Sequence, residues 1–198
     1  MSATRTRPDT QARILETALA LFSEHGFERT TLQQIADRLG FTKAALYYHF
    51  RSKDDLLAAL VLPATTELDE LLCAHHGLLD VPGHRRRFLE AYLDYLLRHR
   101  RLIAYMVSDI AVIAHPAIAG RNDGRRRQVD AMLAGDGLDL RRQVRVTMAV
   151  RGMGAVIAQY PDADVGELRD ALLDGARALL RPSRRGPAPG AESLSPPA

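Results

Sequence analysis

Side chains suited to contacting a nucleic acid are concentrated in one segment, TLQQIADRLGFTKAALYYHFRSK, which spans Thr31 to Lys53. Its stretch from Arg38 onward contains four cations and no acid, and the chain's only two lysines, Lys43 and Lys53, both lie in it. Lysine and arginine neutralise phosphates, whereas hydroxyl and amide side chains also hydrogen-bond to base edges. The segment therefore has the composition of a surface that contacts a polyanion.

Two short helices joined by a tight turn are predicted to carry this surface. Thr31 can cap the first helix, with Gln34 completing a capping box, and Gly40 can end it in the left-handed conformation. Thr42 can cap a second helix, from Lys43 to Phe50. Two short helices around a glycine turn form a helix-turn-helix, and the second helix of that motif enters the major groove of DNA. We therefore expect double-stranded DNA as a partner.

The segment resembles the DNA-binding domain of the TetR family of transcriptional regulators, and the resemblance extends from Ile14 to Lys53. It rests on a Gly-Phe pair after the first helix, a Thr-Thr pair before the second, Leu-Tyr-x-His-Phe at the end of the third, and Ser-Lys opening the fourth. The family fold implied is all-α. An N-terminal three-helix helix-turn-helix domain (residues 1–52) would precede a larger helical ligand-binding and dimerisation domain (residues 53–182).

The resemblance also implies which side chains meet the phosphate backbone. Tyr47 and His49 are expected to lie against it, with Tyr48 on the side that faces the groove. Thr42 would donate a hydrogen bond to a phosphate while capping its helix. Lys53 would contact phosphate through its charge and through the N-terminus of the fourth helix together.

Base edges are expected to meet the first turn of the recognition helix. Lys43 can hydrogen-bond to guanine, whereas Ala44 and Ala45 offer methyl contact, most naturally to thymine. Gln33, on the preceding helix, matches a position that reads bases in some relatives, and glutamine pairs well with adenine. A solvated helix residue is an equally good interpretation of Gln33.

Composition limits the other functions. The chain has 198 residues, 46% of them hydrophobic, and a net charge of +3, which is too small to indicate nucleic-acid binding by itself. No apolar run is long enough to cross a bilayer, so we expect no membrane association. Cys73 is alone, which excludes an intramolecular disulfide and fits a cytoplasmic protein.

Catalytic and metal-binding functions are not predicted. Cys73, His75 and His76 are close in sequence, but adjacent histidines on a helix face different directions, and zinc needs three or four convergent ligands. No serine, cysteine or histidine lies in a recognisable nucleophile motif. We therefore expect neither an enzyme nor a cofactor. The basic runs Arg85–Arg87 and Arg125–Arg127 are predicted to be solvated helix faces.

Two long helices are predicted near the C-terminus, from Leu140 to Tyr160 and from Val165 to Leu180, before a tail at residues 183–198 that is too poor in apolar residues to fold. Their stripes of small and apolar residues would suit either an intramolecular core or a homodimer interface. We favour the homodimer, because specificity normally needs two half-sites about one turn apart. The expected interface residues are Gly152, Ala155, Val156, Gln159, Leu168, Leu172, Gly175 and Leu179.

The resemblance further implies a small-molecule pocket among the middle helices. Tyrosines and methionines suit an apolar ligand with one or two polar groups, and Arg151 is able to pair with a ligand carboxylate. The alternative is that these residues are ordinary core, with Arg151 at an edge or bonded to Asp109 or another acid. The candidate lining residues are Tyr92, Leu96, Ile103, Tyr105, Met106, Ile110, Met132, Met148 and Arg151.

The hypothesis that follows is a dimeric one-component transcriptional repressor, which binds a palindromic operator and is released by a small molecule. The alternative keeps the DNA binding but replaces the small molecule with a protein partner or with constitutive binding. A tightly filled C-terminal core with no cavity would favour that alternative.

Overall fold

The computed structural model describes residues 7–78, 81–109, 112, 114–134 and 139–181. These residues are helical and contain no strand, so the predicted all-α class is confirmed. The helices are α1 (Arg7–His25), α2 (Leu32–Leu39), α3 (Lys43–His49), α4 (Lys53–His75), α5 (His84–Arg98), α6 (Arg100–Ser108), α7 (Pro116–Ala134), α8 (Leu140–Gln159) and α9 (Val165–Leu180).

The first three helices close around a small apolar core. Ile14 and Phe22 from α1, Ile35 from α2 and Leu46 from α3 are almost completely buried. Phe50, which follows α3, completes this core, as the i, i+4 spacing of Leu46 and Phe50 predicts. Burial of these side chains fixes the angle between α2 and α3, because each helix has only one apolar face to offer.

The remaining helices form the larger C-terminal part of the fold. Helix α8 packs against both α6 and α9, and α9 packs in turn against α5. Helix α7 lies against α4, α5 and α8, while α6 also contacts α1. Helices α4 and α6 therefore join the N-terminal three-helix unit to the C-terminal bundle.

Several predictions fall on residues outside the described ranges. They include Ile110 and the tail at residues 183–198. Among the described helices, none is both long and apolar enough to span a membrane.

Candidate nucleic-acid interface and ligand cavity

Local hydrogen bonds fix the conformation of the α2–α3 pair. The Thr31 hydroxyl accepts from the Gln34 N–H at 3.2 Å, and the Gln34 side-chain carbonyl accepts from the Thr31 N–H at 2.8 Å. Gly40 ends α2 with φ at 68°, a left-handed conformation that strains residues with a side chain. Thr42 caps α3 by accepting from the Ala45 N–H at 3.1 Å. The turn between the helices is thus set by contacts within a few residues.

The outer face of α3 is open to solvent. Lys43, Ala44 and Ala45 are exposed in the first turn, and beyond them 43% of Tyr47 and 68% of Tyr48 is accessible. The Lys43 ammonium lies 5.7 Å from the centre of the Tyr47 ring, a distance that permits a cation–π contact. A helix with one fully buried residue and a solvated polar and aromatic face has the form of a recognition helix.

His49 is less accessible than the sequence suggests. Its ring is half-buried and packs edge-on against Tyr48 at 5.2 Å between centroids. Its Nδ1 atom is buried and has no hydrogen-bond partner within the described residues. Any contact of His49 with phosphate would therefore use the other ring nitrogen.

Gln33 is exposed on α2, where its side-chain amide donates to the Asp37 carboxylate at 2.7 Å. That hydrogen bond holds the side chain along its own helix. Gln33 must break or rearrange this bond to read an adenine, because the bidentate contact uses both its amide groups.

Lys53 differs from its predicted role. Its ammonium group donates to the carbonyl oxygens of Phe27 at 2.7 Å and Glu28 at 3.1 Å, and it lies 4.3 Å from the centre of the Phe27 ring. Only 22% of its side chain is exposed. Lys53 is therefore occupied in joining the start of α4 to the loop after α1, and the prediction of a phosphate contact neglected these carbonyls. Arg51, which was not among the predicted contacts, is exposed and forms no ion pair within the described residues.

A cavity of about 180 Å3 lies between α4, α5, α6, α7 and α8. Five of the predicted lining residues are on its wall: Tyr92, Leu96, Ile103, Met106 and Arg151. Burial raises the pKa of the Tyr92 phenol well above its usual value, so this hydroxyl keeps its proton at physiological pH. Arg151 forms no ion pair within the described residues, so the proposed bond to an acid is absent there.

Three predicted lining residues lie elsewhere. Tyr105 is buried and stacks on Phe22 of α1, with 6.0 Å between ring centroids, at the junction with the N-terminal unit. Met132 is buried in the core but is not part of the cavity wall. Met148 is 55% exposed and lines a groove on the outer side of α8. Helical spacing alone does not tell which neighbour a given face will meet.

Two arginines on the cavity wall were predicted to be solvated. Arg125 has only 13% of its side chain exposed and binds the Asp69 carboxylate through two nitrogens, at 2.6 Å and 2.5 Å. Arg126 lies beside it on the wall. The run of three arginines therefore divides between cavity and solvent, since only Arg127 is fully exposed.

The outer groove formed by α8 and α9 contains most of the predicted interface. Val156, Leu172 and Leu179 line it, together with the two glycines discussed next. Ala155 and Gln159 are exposed beside it on α8. Leu168 is an exception, because it is buried inside the subunit and does not reach the groove.

Gly152 and Gly175 both line this groove, with empty space around them. A Cβ atom added to either glycine would meet no atom within 4 Å. Packing inside one subunit therefore does not require glycine at either position. Glycine inside a helix costs about 0.5–1 kcal/mol relative to alanine, so an unused glycine needs another reason, such as close approach of a second chain.

Metal-binding groups are not seen in the ranges that the structure describes, where no three His, Cys, Asp or Glu side chains converge.

Comparison with known proteins identifies similarity in the N-terminal part of the chain. Residues 14–60 match the family described as "Bacterial regulatory proteins, tetR family". The chain is 39% identical over 66 residues to a probable acrEF/envCD operon repressor of Escherichia coli K12, which covers 33% of this chain and 30% of the relative. It is 38% identical over 89 residues to the HTH-type transcriptional regulator AcrR of Shigella flexneri, covering 45% of this chain and 40% of the relative. The alignments thus span less than half the length of these curated relatives.

Similarity of fold extends over nearly the whole chain. The crystal structure of AmtR from Mycobacterium smegmatis superposes with a TM-score of 0.67 at 26% identity, covering 90% of this chain and 89% of that one. KstR2 of Mycobacterium tuberculosis, described as a ketosteroid transcriptional regulator, also superposes with a TM-score of 0.67. Its 19% identity, over 91% of this chain and 97% of that one, indicates a shared fold alone.

Proposed function

We propose that this chain, which belongs to the TetR family of transcriptional regulators, is a dimeric repressor that binds a palindromic DNA operator in the cytoplasm and leaves it when a small molecule fills the C-terminal cavity. The observation that carries the DNA-binding part is the outer face of α3. Leu46 anchors this helix in the core, while Lys43, Tyr47 and Tyr48 remain accessible on the other side.

Dimerisation is supported by the groove between α8 and α9. It presents apolar side chains to solvent, including Met148, and it contains two glycines that the single subunit does not need. A second copy placing the same two helices against it would make a symmetric four-helix interface. Such a pairing would hold two recognition helices at a fixed distance, as two half-sites require.

Ligand control is supported by the cavity. A tightly filled C-terminal core would have favoured the alternative of a protein partner or constitutive binding. Instead α4, α5, α6, α7 and α8 leave about 180 Å3 between them, and its wall combines apolar surface with tyrosine and arginine side chains. A ligand would release DNA only to the extent that it binds the DNA-incompetent conformer more tightly, which in allosteric proteins typically amounts to about 1–3 kcal/mol.

The test is capture of fragmented genomic DNA by the purified protein, followed by sequencing of the retained fragments. We expect an enriched palindrome with half-sites about one helical turn apart. The same capture with Tyr47→Ala should lose the enrichment while the circular dichroism spectrum and the oligomeric state stay as in the wild type, since Tyr47 is exposed. Retention of bulk DNA without an enriched sequence, or equal enrichment by the variant, would remove specific operator recognition by α3.

A further inference from the structure

We propose that the cavity binds an amphipathic organic anion, whose carboxylate is held by Arg126 and Arg151 while its apolar body lies between α4, α5 and α6. This inference rests on the proposed function only in assuming that the cavity is a ligand site. It names the chemical class of the ligand, which the fold similarity leaves open.

The charged groups on the cavity wall all have the same sign. Arg125, Arg126 and Arg151 are on the wall, and no aspartate or glutamate of the described residues accompanies them there. Three guanidinium groups around one largely apolar cavity would repel a cationic ligand. They would also lose hydration without compensation if a neutral apolar molecule covered them.

The three arginines differ in whether a carboxylate of the protein already binds them. Asp69 binds Arg125 through two nitrogens, so that guanidinium is occupied. Arg126 has its closest carboxylate, that of the exposed Asp123, at 3.7 Å, which is longer than a hydrogen bond. Arg151 has no ion pair or hydrogen bond to any described residue. Two guanidinium groups are therefore available to a ligand.

One nearby acid, Asp130, only partly neutralises the charge of these two arginines. Asp130 is on α7, one turn beyond Arg126, and its Oδ1 atom is buried without a hydrogen-bond partner in the described ranges. Burial raises the pKa of this carboxyl group, against the opposing effect of Arg151 and Arg126. A single carboxyl that lacks hydrogen bonds to either guanidinium leaves a net positive charge at this end of the cavity.

The polar groups that remain on the wall can also donate to an anion. Burial raises the pKa of the Tyr95 phenol to about 12, and that of Tyr92 higher still, so both keep their hydroxyl protons. Asn122 adds a side-chain amide. Each of these groups can complete the shell of a carboxylate whose main partners are guanidinium groups.

The position of the arginines gives the orientation of the ligand. Arg151 is exposed and Arg126 is 34% exposed, so their charged groups lie toward the solvent side. Leu96, Leu102 and Val150 are buried on the inner wall. An anionic head at the arginines and an apolar body directed inward would satisfy both ends, and the cavity volume limits that body to a small molecule.

Calorimetric titration at pH 7.5 with hexanoate, octanoate and decanoate tests the class directly, each compared with the primary amide of the same chain length. We expect the best carboxylate to bind the wild-type protein at least about 10-fold more tightly than its amide, because a hydrogen bond to a charged group is stronger than a neutral one. Arg151→Gln and Arg126→Gln should each remove most of that preference. Arg127→Gln, at an exposed position of α7 next to Arg126, should leave the preference for the carboxylate unchanged.

Two controls distinguish loss of the carboxylate contact from loss of folding. The circular dichroism spectrum of each variant should match that of the wild type, and its affinity for the amide should stay within about 3-fold of the wild-type value. Arg151→Lys should restore part of the preference, since a cation returns without the forked geometry. Equal binding of carboxylate and amide by the wild type would overturn the proposal, as would an Arg127→Gln variant as impaired as Arg151→Gln.

Fluorescence anisotropy with the captured DNA separates this inference from the proposed function. If carboxylates bind selectively but do not release DNA, the ligand class stands and the release mechanism fails. If DNA is bound and released by some other compound while no carboxylate binds better than its amide, the repressor stands and the anion class is wrong.

Discussion

The carboxylate of Asp109 accepts a hydrogen bond from the backbone N–H of Phe27 at 3.0 Å, across 82 residues of sequence. Asp109 follows directly after α6, whereas Phe27 is in the loop between α1 and α2. The carbonyl of the same Phe27 is bound by Lys53 at the start of α4. One peptide segment of the N-terminal three-helix unit is thus held by both helices that connect it to the C-terminal bundle.

This junction is one helix away from the cavity. Ile103, Met106 and Val107 on α6 line the cavity wall, and Asp109 follows directly after this helix. A displacement of α6 on ligand binding would change the Asp109–Phe27 contact without passing through any other element. We therefore expect this hydrogen bond to contribute to coupling between the ligand and the DNA.

Asp109→Ala should loosen the loop after α1. Removing the carboxylate leaves the Phe27 N–H without its acceptor, which costs about 1–3 kcal/mol when the group is buried and less here, where it is partly buried. Hydrogen–deuterium exchange should become faster at Phe27 and neighbouring amides, and ligand should shift operator affinity less. Asp162→Ala, at an exposed acid before α9, is the matched control. Unchanged exchange at Phe27 would mean that the hydrogen bond does not restrain the loop.

Lys43→Gln and Lys53→Gln should change different quantities, the first the salt dependence of DNA binding and the second the thermal stability. Lys43 is exposed on α3, so its loss should reduce the slope of log affinity for operator against log salt by about 1 and leave thermal stability unchanged. Lys53 holds two backbone carbonyls, so its loss should lower the melting temperature more than it changes the salt slope. Anisotropy titrations at four salt concentrations, with thermal melts of each variant, measure both. A reversed pattern would restore Lys53 as a phosphate contact.

Gly152→Glu should dissociate the dimer without unfolding the subunit. The glutamate side chain has room in the single subunit, but in the proposed interface it would bury an unpaired charge, which costs several kcal/mol per ion. We expect sedimentation equilibrium to show association weaker by about 100-fold or more. Gly124→Glu is the control, because a Cβ there also meets nothing within 4 Å and the residue lies on α7, away from the groove. Equal association of both variants would place the interface elsewhere.

Acidification should destabilise the region around His75. Burial, with the nearby His84 and Arg87, lowers the pKa of this imidazole below its usual value of 6.5. The unfolded chain then binds the proton more readily than the folded chain. The free energy of unfolding therefore falls as pH drops through 6.5 and becomes constant below the folded pKa. Urea unfolding at pH 8, 7, 6 and 5 should show this loss, which should be smaller in His75→Gln.

The exposed neighbour His76 provides the control for that measurement. His76→Gln should keep the full pH dependence of the wild type. If both variants lose the same amount of stability between pH 7 and pH 5 as the wild type, His75 is not the group responsible.

The helix-turn-helix was predictable in detail because its determinants are local. The capping box of Thr31 and Gln34 and the turn at Gly40 each depend on atoms within about four residues. The start of the helix Val165–Leu180 likewise has a local cause, because the Asp164 side chain accepts hydrogen bonds from the Gly166 and Glu167 N–H groups. Local sequence also defined the exposed face of α3, because Leu46 and Phe50 left only one way to orient it.

Side-chain partners from distant helices were not predictable in the same way. Lys53 was assigned to phosphate because nothing in the sequence brings the Phe27 carbonyl close to it. Arg125 was assigned to solvent because its partner Asp69 is on another helix, 56 residues earlier. Met148 and Tyr105 share an apolar character with true cavity residues, but one faces the outer groove and the other faces α1.

The sequence by itself determined the helices and the helix-turn-helix, since caps, turns and periodic apolar residues act within one or two turns of the chain. Only the tertiary structure decided which helix face meets the cavity, the groove or the N-terminal three-helix unit. The physical reason is that an apolar stripe specifies burial but not a partner. The partner depends on how α4 to α9 pack together, and that packing brings Asp109 to Phe27 and Arg126 and Arg151 to one cavity.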